Sequence, residues 1–242
     1  MRALILAAGV GTRLSPFTER VPKPMLEIGG RPILEHNVRL AVKHGMTHVT
    51  INLHHRPEAI VDHFGDGSAF GASIRYSREA ELLGTAGALN PVRDLFAGGT
   101  FAVLYGDNLT TCDLSALVAR HRATGAVATI ALFERDDPTA SGIAALDDAG
   151  FVTRFLEKPR PEEVFSNLVN AGILILEPAA LAAVPERGPS DFGRDVLPQL
   201  LARGRRIAGY RMTEGLWWID SQADYERTIA FFAGKGNAFP SA

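Results

Sequence analysis

A glycine-rich loop stands directly after the first apolar run of the chain. It reads Leu6-Ala7-Ala8-Gly9-Val10-Gly11-Thr12-Arg13 and is followed by Pro22-Lys23-Pro24. Glycines at a strand end let backbone N–H groups approach a phosphate closely, and Arg13 with Lys23 would neutralise most of a triphosphate when a divalent ion helps. The loop therefore indicates a polyphosphate site, although a plain strand-to-helix turn with surface cations fits the same spacing.

The same loop departs from the two best-known nucleotide fingerprints. Leu14 takes the place of the third glycine in the pattern G-x-G-x-x-G, and no G-K-[ST] triplet follows for a P-loop. The sequence therefore disfavours a nicotinamide-dependent oxidoreductase. That class stays an alternative, which a failure to bind NAD(P) would dismiss.

A second glycine loop, Gly84–Leu89, follows the strand-like stretch Ser73–Ser77, with Glu79 and Glu81 just before it. We expect it to be a close-approach loop that opens a helix. A carboxylate near a base could accept from the ring N–H and the exocyclic amine of guanine, whereas uracil offers a single donor. Two solvated acids at the start of a loop are the competing interpretation.

Two acids stand at predicted strand ends. Asp107 follows the apolar run Phe101–Tyr105, and Asp220 follows a second strand-like run. Mg²⁺ prefers one or two carboxylates together with substrate phosphates, so the two acids suit a shared Mg²⁺. Asp107 also fits an ordinary turn, and Asp220 precedes a capping box formed by Ser221 and Asp224.

The pair Glu157-Lys158 closes a further predicted strand before Pro159. Lys158 could bind a phosphate as a point charge and Glu157 could accept from sugar hydroxyls, although such pairs are usually solvated. The histidines show no H-E-x-x-H spacing, and Cys112 is the sole cysteine. Zinc, an internal disulfide and a thiol nucleophile are therefore disfavoured.

The composition is that of a globular protein. The 242 residues carry 25 Lys and Arg against 27 Asp and Glu, so no excess of positive charge favours nucleic acid. No apolar run reaches the roughly 20 residues that would span a bilayer, and the first run ends in glycines and Arg13, unlike a secretory signal. We expect a cytoplasmic protein, since a single cysteine suits a reducing compartment, and a monomer or a homodimer.

Short apolar runs predict strands, and they alternate with segments of helical spacing. The runs are Ala3–Ala8, His48–Leu53, Phe101–Tyr105, Ala126–Phe133 and Leu168–Leu176. This order predicts an α/β fold with a mostly parallel sheet and helices on both faces, whose ligands bind beyond the carboxyl ends of the strands. We expect a single domain over residues 1–235, with a small β-rich subdomain at about 141–177 and a tail at 236–242.

The ordered set of motifs resembles the sugar-1-phosphate nucleotidyltransferase family, also called nucleotide-sugar pyrophosphorylases, over roughly residues 2–230. The six motifs are Leu6–Arg13, Pro22–Met25, Leu83–Gly87, Gly106–Asn108, Glu157–Pro159 and Asn170–Gly172. The resemblance implies a Rossmann-like nucleotide-diphosphosugar transferase fold with Mg²⁺ as cofactor. It also implies a nucleoside triphosphate and a sugar 1-phosphate as substrates, and a sugar-binding role for residues 141–177.

The resemblance further implies a role for each matching residue. The catalytic residues would be Arg13, Lys23, Asp107 and Lys158, and the Mg²⁺ ligands would be Asp107 and Asp220. The nucleotide would contact Leu6, Ala7, Ala8, Gly9, Gly11, Thr12, Arg13, Lys23, Glu79, Gly84, Thr85 and Asp107. The sugar phosphate would contact Gly142, Glu157, Lys158, Asn170 and Ala171.

The choice of substrates within the family stays open. The run Leu83–Leu89 most resembles mannose-1-phosphate guanylyltransferases, which favours GTP and places UTP second. The short chain is similar to N-acetylmuramate-1-phosphate uridylyltransferases, so transfer to that sugar, or to another sugar or cyclitol phosphate, is the alternative. Ser141 stands where the family often has an aromatic residue, and Ser221-Gln222-Ala223 follows Asp220 where it often has x-Gly-Thr. A module that senses nucleotide sugars without turnover is the alternative of another class.

Overall fold

The computed structural model describes residues 1–15 and 17–234, so the predicted tail at 236–242 lies outside the described residues. The strands are β1 (Arg2–Leu6), β2 (Glu27–Ile28), β3 (Arg31–Pro32), β4 (His48–Leu53), β5 (Ser73–Arg78), β6 (Phe101–Tyr105), β7 (Leu109–Thr110), β8 (Ala128–Glu134), β9 (Gly142–Leu146), β10 (Val152–Glu157), β11 (Leu168–Leu176), β12 (Ile207–Arg211) and β13 (Leu216–Trp217). The helices are α1 (Phe17–Arg20), α2 (Ile33–Lys43), α3 (Pro57–Phe64), α4 (Gly84–Gly87), α5 (Arg93–Phe96), α6 (Leu114–Thr124), α7 (Leu197–Ala202) and α8 (Gln222–Ala233).

The chain divides into two compact units. Unit 1 comprises Met1–Leu82, Leu104–Asp113 and the chain from Glu214 onward, and unit 2 comprises Leu83–Val103 and Leu114–Thr213. Each unit is therefore built from separate stretches of the sequence. The single domain over residues 1–235, with its subdomain at 141–177, stays a prediction.

Parallel strands carry the first glycine loop in unit 1. β4 pairs in parallel with β1 on one side and with β5 on the other, and its residue Asn52 lies opposite both Leu6 and Ser77. On the far side of β1, the N–H of Gly106 donates to the carbonyl of Leu6 at 2.8 Å. The segments that follow β1, β4 and β5 therefore leave one edge of the sheet, and the segment that follows β6 begins beside Leu6.

Antiparallel pairs predominate in unit 2. β11 is antiparallel to β8 and to β9, and β9 is antiparallel to β10, whereas β12 runs parallel to β8. The pairing of β11 with β8 is irregular between Asn170 and Leu174. The predicted β-rich segment at 141–177 thus contains β9, β10 and β11.

The predicted α/β class is confirmed by these elements. The runs predicted at His48–Leu53, Phe101–Tyr105 and Leu168–Leu176 are strands with those bounds. Helices α2 and α6 lie between strands along the chain, as the predicted alternation requires. Among the described residues, no helix combines the length and apolar character that crossing a membrane would require.

An apolar cluster in unit 1 holds the residues that flank the predicted site. It is formed by Leu14, Leu26, Ile28, Ile33, Leu109, Ile219, Tyr225 and Phe232. Leu14 is 1% exposed, so the residue that breaks the dinucleotide fingerprint is a core side chain beside Arg13. Ile219 precedes Asp220, and the Tyr225 hydroxyl donates to the Glu27 carbonyl at 3.0 Å. Packing of these neighbours fixes the backbone from which the charged side chains project.

Gly106 is required by a close approach of chain segments in unit 1. A Cβ added there would lie 2.8 Å from the Leu6 carbonyl oxygen, 2.8 Å from Ile5 Cγ2 and 3.1 Å from Leu34 Cδ1. We expect Gly106→Ala to lower the free energy of unfolding by about 1–3 kcal/mol, because the backbone oxygen cannot yield without breaking the sheet. Denaturant titration of the variant measures this loss.

Gly98→Ala is the matched control for that substitution. A Cβ at Gly98 would meet no atom within 4 Å. Equal unfolding free energies for the two variants would contradict the close approach at Gly106.

Candidate functional site

The lysine of the Pro22-Lys23-Pro24 motif forms the centre of a charged cluster in unit 1. Its Nζ lies 2.7 Å from Asp107 Oδ2 and 3.1 Å from Asp220 Oδ1, and its side chain is only 7% exposed. Arg13 Nη2 lies 3.4 Å from Asp220 Oδ1, on a side chain that is 71% exposed. The structure thus brings together four predicted site residues that are far apart in sequence.

The two carboxylates determine the charge of Lys23. Burial alone would lower the pKa of Lys23, but the negative charges and hydrogen bonds of Asp107 and Asp220 outweigh burial and raise it above 10.5. Since the folded value exceeds the unfolded one, the stabilisation is complete below pH 10.5 and is lost only as the pH rises through the folded pKa. Lys23 is therefore an ammonium ion at neutral pH.

The donor set of this cluster fits a hard divalent cation. Asp107 and Asp220 offer carboxylate oxygens that converge on one positive charge, and Mg²⁺ prefers one or two carboxylates together with phosphate oxygens. Within the described ranges, no three His, Cys, Asp or Glu side chains group together as an all-protein metal site. The pair could therefore hold Mg²⁺ only with further ligands from substrate or water.

The two glycines of the first loop differ in their surroundings. Gly11 has a φ of 68°, and a Cβ there would lie 2.8 Å from Lys23 Cβ and 3.1 Å from Thr18 Cγ2. At Gly9 a Cβ would meet nothing within 4 Å. Gly11 is therefore needed for the packing of Lys23, whereas Gly9 faces open space.

The remaining loop residues differ in burial. Ala7 and Ala8 are buried, Leu6 is half-buried and Thr12 is exposed. The Ala7 N–H already donates to Asn52 Oδ1 at 2.8 Å. The N–H groups that can approach a phosphate are therefore those that follow Ala7.

Of the two acids that precede the second glycine loop, Glu79 is buried and Glu81 is exposed. The Glu79 side chain is held by Asn52, whose Nδ2 donates to Glu79 Oε1 at 2.8 Å. A carboxylate that is buried and hydrogen-bonded has a fixed position from which it can accept further hydrogen bonds. Glu79 is therefore not one of two solvated acids at the start of a loop. Sequence spacing gave no signal for Asn52, because it lies on a different strand.

The second glycine loop, in unit 2, packs on a distant segment of its own unit. A Cβ at Gly84, where φ is 76°, would lie 2.5 Å from the carbonyl oxygen of Ser190, which accepts from the N–H of Ala86 at 2.9 Å. The Thr85 hydroxyl donates to Asp191 Oδ1 at 3.1 Å. At this loop the chain therefore approaches another part of its own unit closely, and the backbone of Ser190 is one partner. Nothing in the sequence spacing indicated Ser190 or Asp191.

Glu157 is packed against two glycines in unit 2. A Cβ at Gly142 would lie 2.5 Å from Glu157 Oε2, and a Cβ at Gly193 would collide with the same atom. Burial raises the pKa of Glu157 and Asp191 adds to the rise, although Lys158 and Arg194 act in the opposite direction. Gly193 lies in the π-helical turn Phe192–Val196, a feature that often marks functional sites.

The other predicted sugar-phosphate contacts also lie in unit 2. Lys158 is exposed, has a φ of 50°, and donates its N–H to the Ser141 carbonyl at 3.1 Å. Asn170 Oδ1 accepts from the N–H of Gly172 at 3.0 Å, and Ala171 is buried. The strained backbone of Lys158 ties it to the segment that begins β9, next to Gly142.

Two features outside the charged cluster follow the sequence predictions. Ser221 Oγ accepts from the N–H of Asp224 at 3.2 Å, so the predicted helix cap exists. Asp220, the residue before this cap, also binds Lys23. Cys112 is fully buried, and burial, with Glu214 and Asp113, raises its pKa far above the usual thiol range. The thiol therefore stays neutral and is packing, as the sequence predicts.

Known proteins share both the sequence pattern and the fold. The family model described as "Nucleotidyl transferase" matches residues 2–221. A UTP--glucose-1-phosphate uridylyltransferase of Synechocystis sp. is 36% identical over 233 residues, covering 91% of this chain and 60% of that protein. A mannose-1-phosphate guanylyltransferase of Mycobacterium tuberculosis is 36% identical over 219 residues, with 90% and 60% covered. The chain thus spans about 60% of the length of these relatives.

A solved structure supports the same assignment at the level of fold. A UDP-glucose pyrophosphorylase complexed with UDP-glucose superposes with a TM-score of 0.85 at 21% identity, covering 97% of this chain and 98% of that one. The predicted Rossmann-like nucleotide-diphosphosugar transferase fold is confirmed. Together with the match over residues 2–221, this shows that the chain belongs to the nucleotidyl transferase family, among relatives that act on sugar 1-phosphates.

Proposed function

We propose that this chain transfers a nucleotidyl group from a nucleoside triphosphate to a sugar 1-phosphate, forming a nucleotide sugar and pyrophosphate. The observation that carries the proposal is the Lys23 ammonium between Asp107 and Asp220, next to a glycine loop at the end of a parallel strand. Glycine loops at strand ends and cations of this kind suit a polyphosphate.

The reaction requires that the two substrates be held in position and that positive charges lie beside their phosphates. A sugar-phosphate oxygen attacks the α-phosphorus, the bond to the bridging oxygen breaks, and pyrophosphate leaves with the electron pair. A phosphate monoester is largely dianionic at pH 7, so no side chain has to remove a proton. The main barrier is the approach of two anions, which fixed positive charges lower.

Each charged residue then has a defined task. Lys23 and the exposed Arg13 would bind the phosphates of the nucleotide, and Lys158 would bind the phosphate of the sugar. Asp107 and Asp220 would hold Mg²⁺, which when bound supplies positive charge to the α-phosphate. Glu157, Asn170 and the backbone around Gly142 and Ala171 would contact the sugar.

GTP and mannose 1-phosphate are the proposed substrates. The buried Glu79 carboxylate favours a base with two adjacent N–H donors, as in guanine. The alternative is UTP with N-acetylmuramate 1-phosphate or another sugar or cyclitol phosphate. It is favoured by the likeness to a UTP--glucose-1-phosphate uridylyltransferase.

Pyrophosphate release from a matrix of nucleoside triphosphates and sugar 1-phosphates tests the function. We expect the highest kcat/KM with GTP and mannose 1-phosphate, and no release without Mg²⁺. Preference for UTP would support the alternative. No release from any pair, with the nucleotide sugars still bound, would support a sensing module instead.

Two substitutions separate the proposed roles. We expect Asp107→Asn to lower kcat by at least about 100-fold with Mg²⁺ present, because a carboxylate that would bind the metal is lost.

We expect Lys158→Ala to raise KM for the sugar 1-phosphate about 10- to 100-fold with less effect on KM for the nucleotide, because a charge-assisted hydrogen bond is lost. Steady-state kinetics in both substrates measures the difference. Unchanged kinetics in either variant would refute its assignment, and the exposed Asp62→Ala and Lys43→Ala are the controls.

The ionised Glu157 carboxylate should lower the stability of the folded protein at neutral pH. Because the folded protein raises its pKa above 4.5, the unfolded chain ionises more readily, and stability falls as the pH rises from 4.5 through the folded pKa. We expect Glu157→Gln to melt at a higher temperature than the parent at pH 7, with the gain vanishing below about pH 4.5, and to use the sugar phosphate poorly.

Thermal unfolding as a function of pH checks the stability of this variant. Glu186→Gln, which removes an exposed carboxylate from the same unit, is the control and should show no gain. A gain at pH 4 as large as that at pH 7 would show that the ionisation of Glu157 is not its cause.

A further inference from the structure

Asn52 is a buried amide at the carboxyl end of the strand between β1 and β5. Asn52 is 2% exposed and lies opposite Leu6 on one neighbouring strand and Ser77 on the other. An amide buried without partners would destabilise the fold, so its oxygen and nitrogen need hydrogen bonds. The identity of those partners shows what this buried amide does at the end of the strand.

The two partners of Asn52 lie on the segments that leave the two neighbouring strands. The N–H of Ala7 donates to Oδ1 at 2.8 Å, and Nδ2 donates to Glu79 Oε1 at 2.8 Å. A backbone N–H can only donate, so the amide oxygen must face Ala7 and the amide nitrogen must face Glu79. The orientation of Asn52 therefore makes Glu79 Oε1 an acceptor.

The backbone of Glu79 is fixed as firmly as its side chain. Its N–H donates to the Leu53 carbonyl at 2.8 Å, and its own carbonyl lies 2.9 Å from Nδ1 of His54. Glu79 is therefore held by three consecutive residues of β4 and its end, Asn52, Leu53 and His54. A carboxylate held in this way cannot swing to adapt to different partners.

We propose that Asn52 is a positioning residue for base selection, which holds the Glu79 carboxylate as an acceptor for the N–H groups of guanine. The proposal rests on the proposed function, because it takes the base to lie against Glu79. A carboxylate oxygen has more than one acceptor site, so Glu79 can accept from Asn52 and from a base together. Through Ala7, the same amide ties base selection to the loop that approaches the phosphates.

The comparison of GTP with ITP isolates this role, because hypoxanthine has the ring N–H of guanine but lacks the exocyclic amine. We expect the full chain to bind GTP more tightly than ITP by at least tenfold, in the presence of Mg²⁺ and without sugar phosphate. Asn52→Ala should reduce that ratio of dissociation constants about tenfold, since a carboxylate free to turn no longer distinguishes the two bases. Titration calorimetry measures both constants.

Two further variants separate an effect on base selection from an effect on folding. Asn52→Asp keeps the size of the side chain but places a negative charge beside Glu79, and it should lower the ratio in the same way. Thr50→Val removes a buried hydroxyl from the same face of the same strand, two residues away, and should leave the ratio unchanged. Thermal unfolding of each variant confirms that the protein is folded.

The possible outcomes distinguish this inference from the proposed function. A parent chain that binds neither nucleotide would overturn both. A parent chain that binds GTP and ITP equally, or Asn52 variants that keep its ratio, would overturn the role of Asn52 and leave nucleotidyl transfer standing. Weaker binding of both nucleotides at a constant ratio would show a structural role for Asn52 and would likewise overturn the proposal.

Discussion

The ammonium group of Lys23, held between Asp107 and Asp220, is the interaction on which unit 1 depends. A charge that is 93% buried would cost several kcal/mol if it lost its partners, so the fold has to supply both carboxylates. They come from segments about 80 and 200 residues further along the chain. Buried neighbours place them: Leu109 follows Asp107 and Ile219 precedes Asp220, and both side chains belong to the cluster that contains Leu14 and Leu26.

This arrangement also suits the highly charged ligand of the proposed function. The two carboxylates would repel each other without a cation between them, and the ammonium group of Lys23 keeps them converged. Arg13 remains largely exposed although it reaches Asp220, so its charge is available to an incoming anion. Under the proposed function, an incoming phosphate would meet a guanidinium group that is already in place beside the carboxylates.

The fold class and the charged residues could be predicted from the sequence, because both depend on local patterns. Continuous apolar runs give β4, β6 and β11 their bounds, and Asp107 directly follows β6 as the first glycine loop follows β1. The supporting residues could not be predicted in the same way. Ser190 lies more than 100 residues from the glycine loop on which it packs, and Gly193 reaches Glu157 from a turn with no motif of its own. Such contacts depend on tertiary packing, to which no local spacing corresponds.

The structure also gives a different reason for several glycines of the sequence motifs. A glycine near a strand end suggests a phosphate, yet Gly11 and Gly84 are each explained by a contact within their own unit, with Lys23 and the backbone of Ser190 respectively. Gly9 has no such explanation, since a Cβ there would meet nothing within 4 Å and its φ does not require glycine. The folded chain itself therefore sets no requirement for glycine at position 9. Under the proposed function a phosphate would set one, because a side chain beside the loop would keep the anion away from the N–H groups.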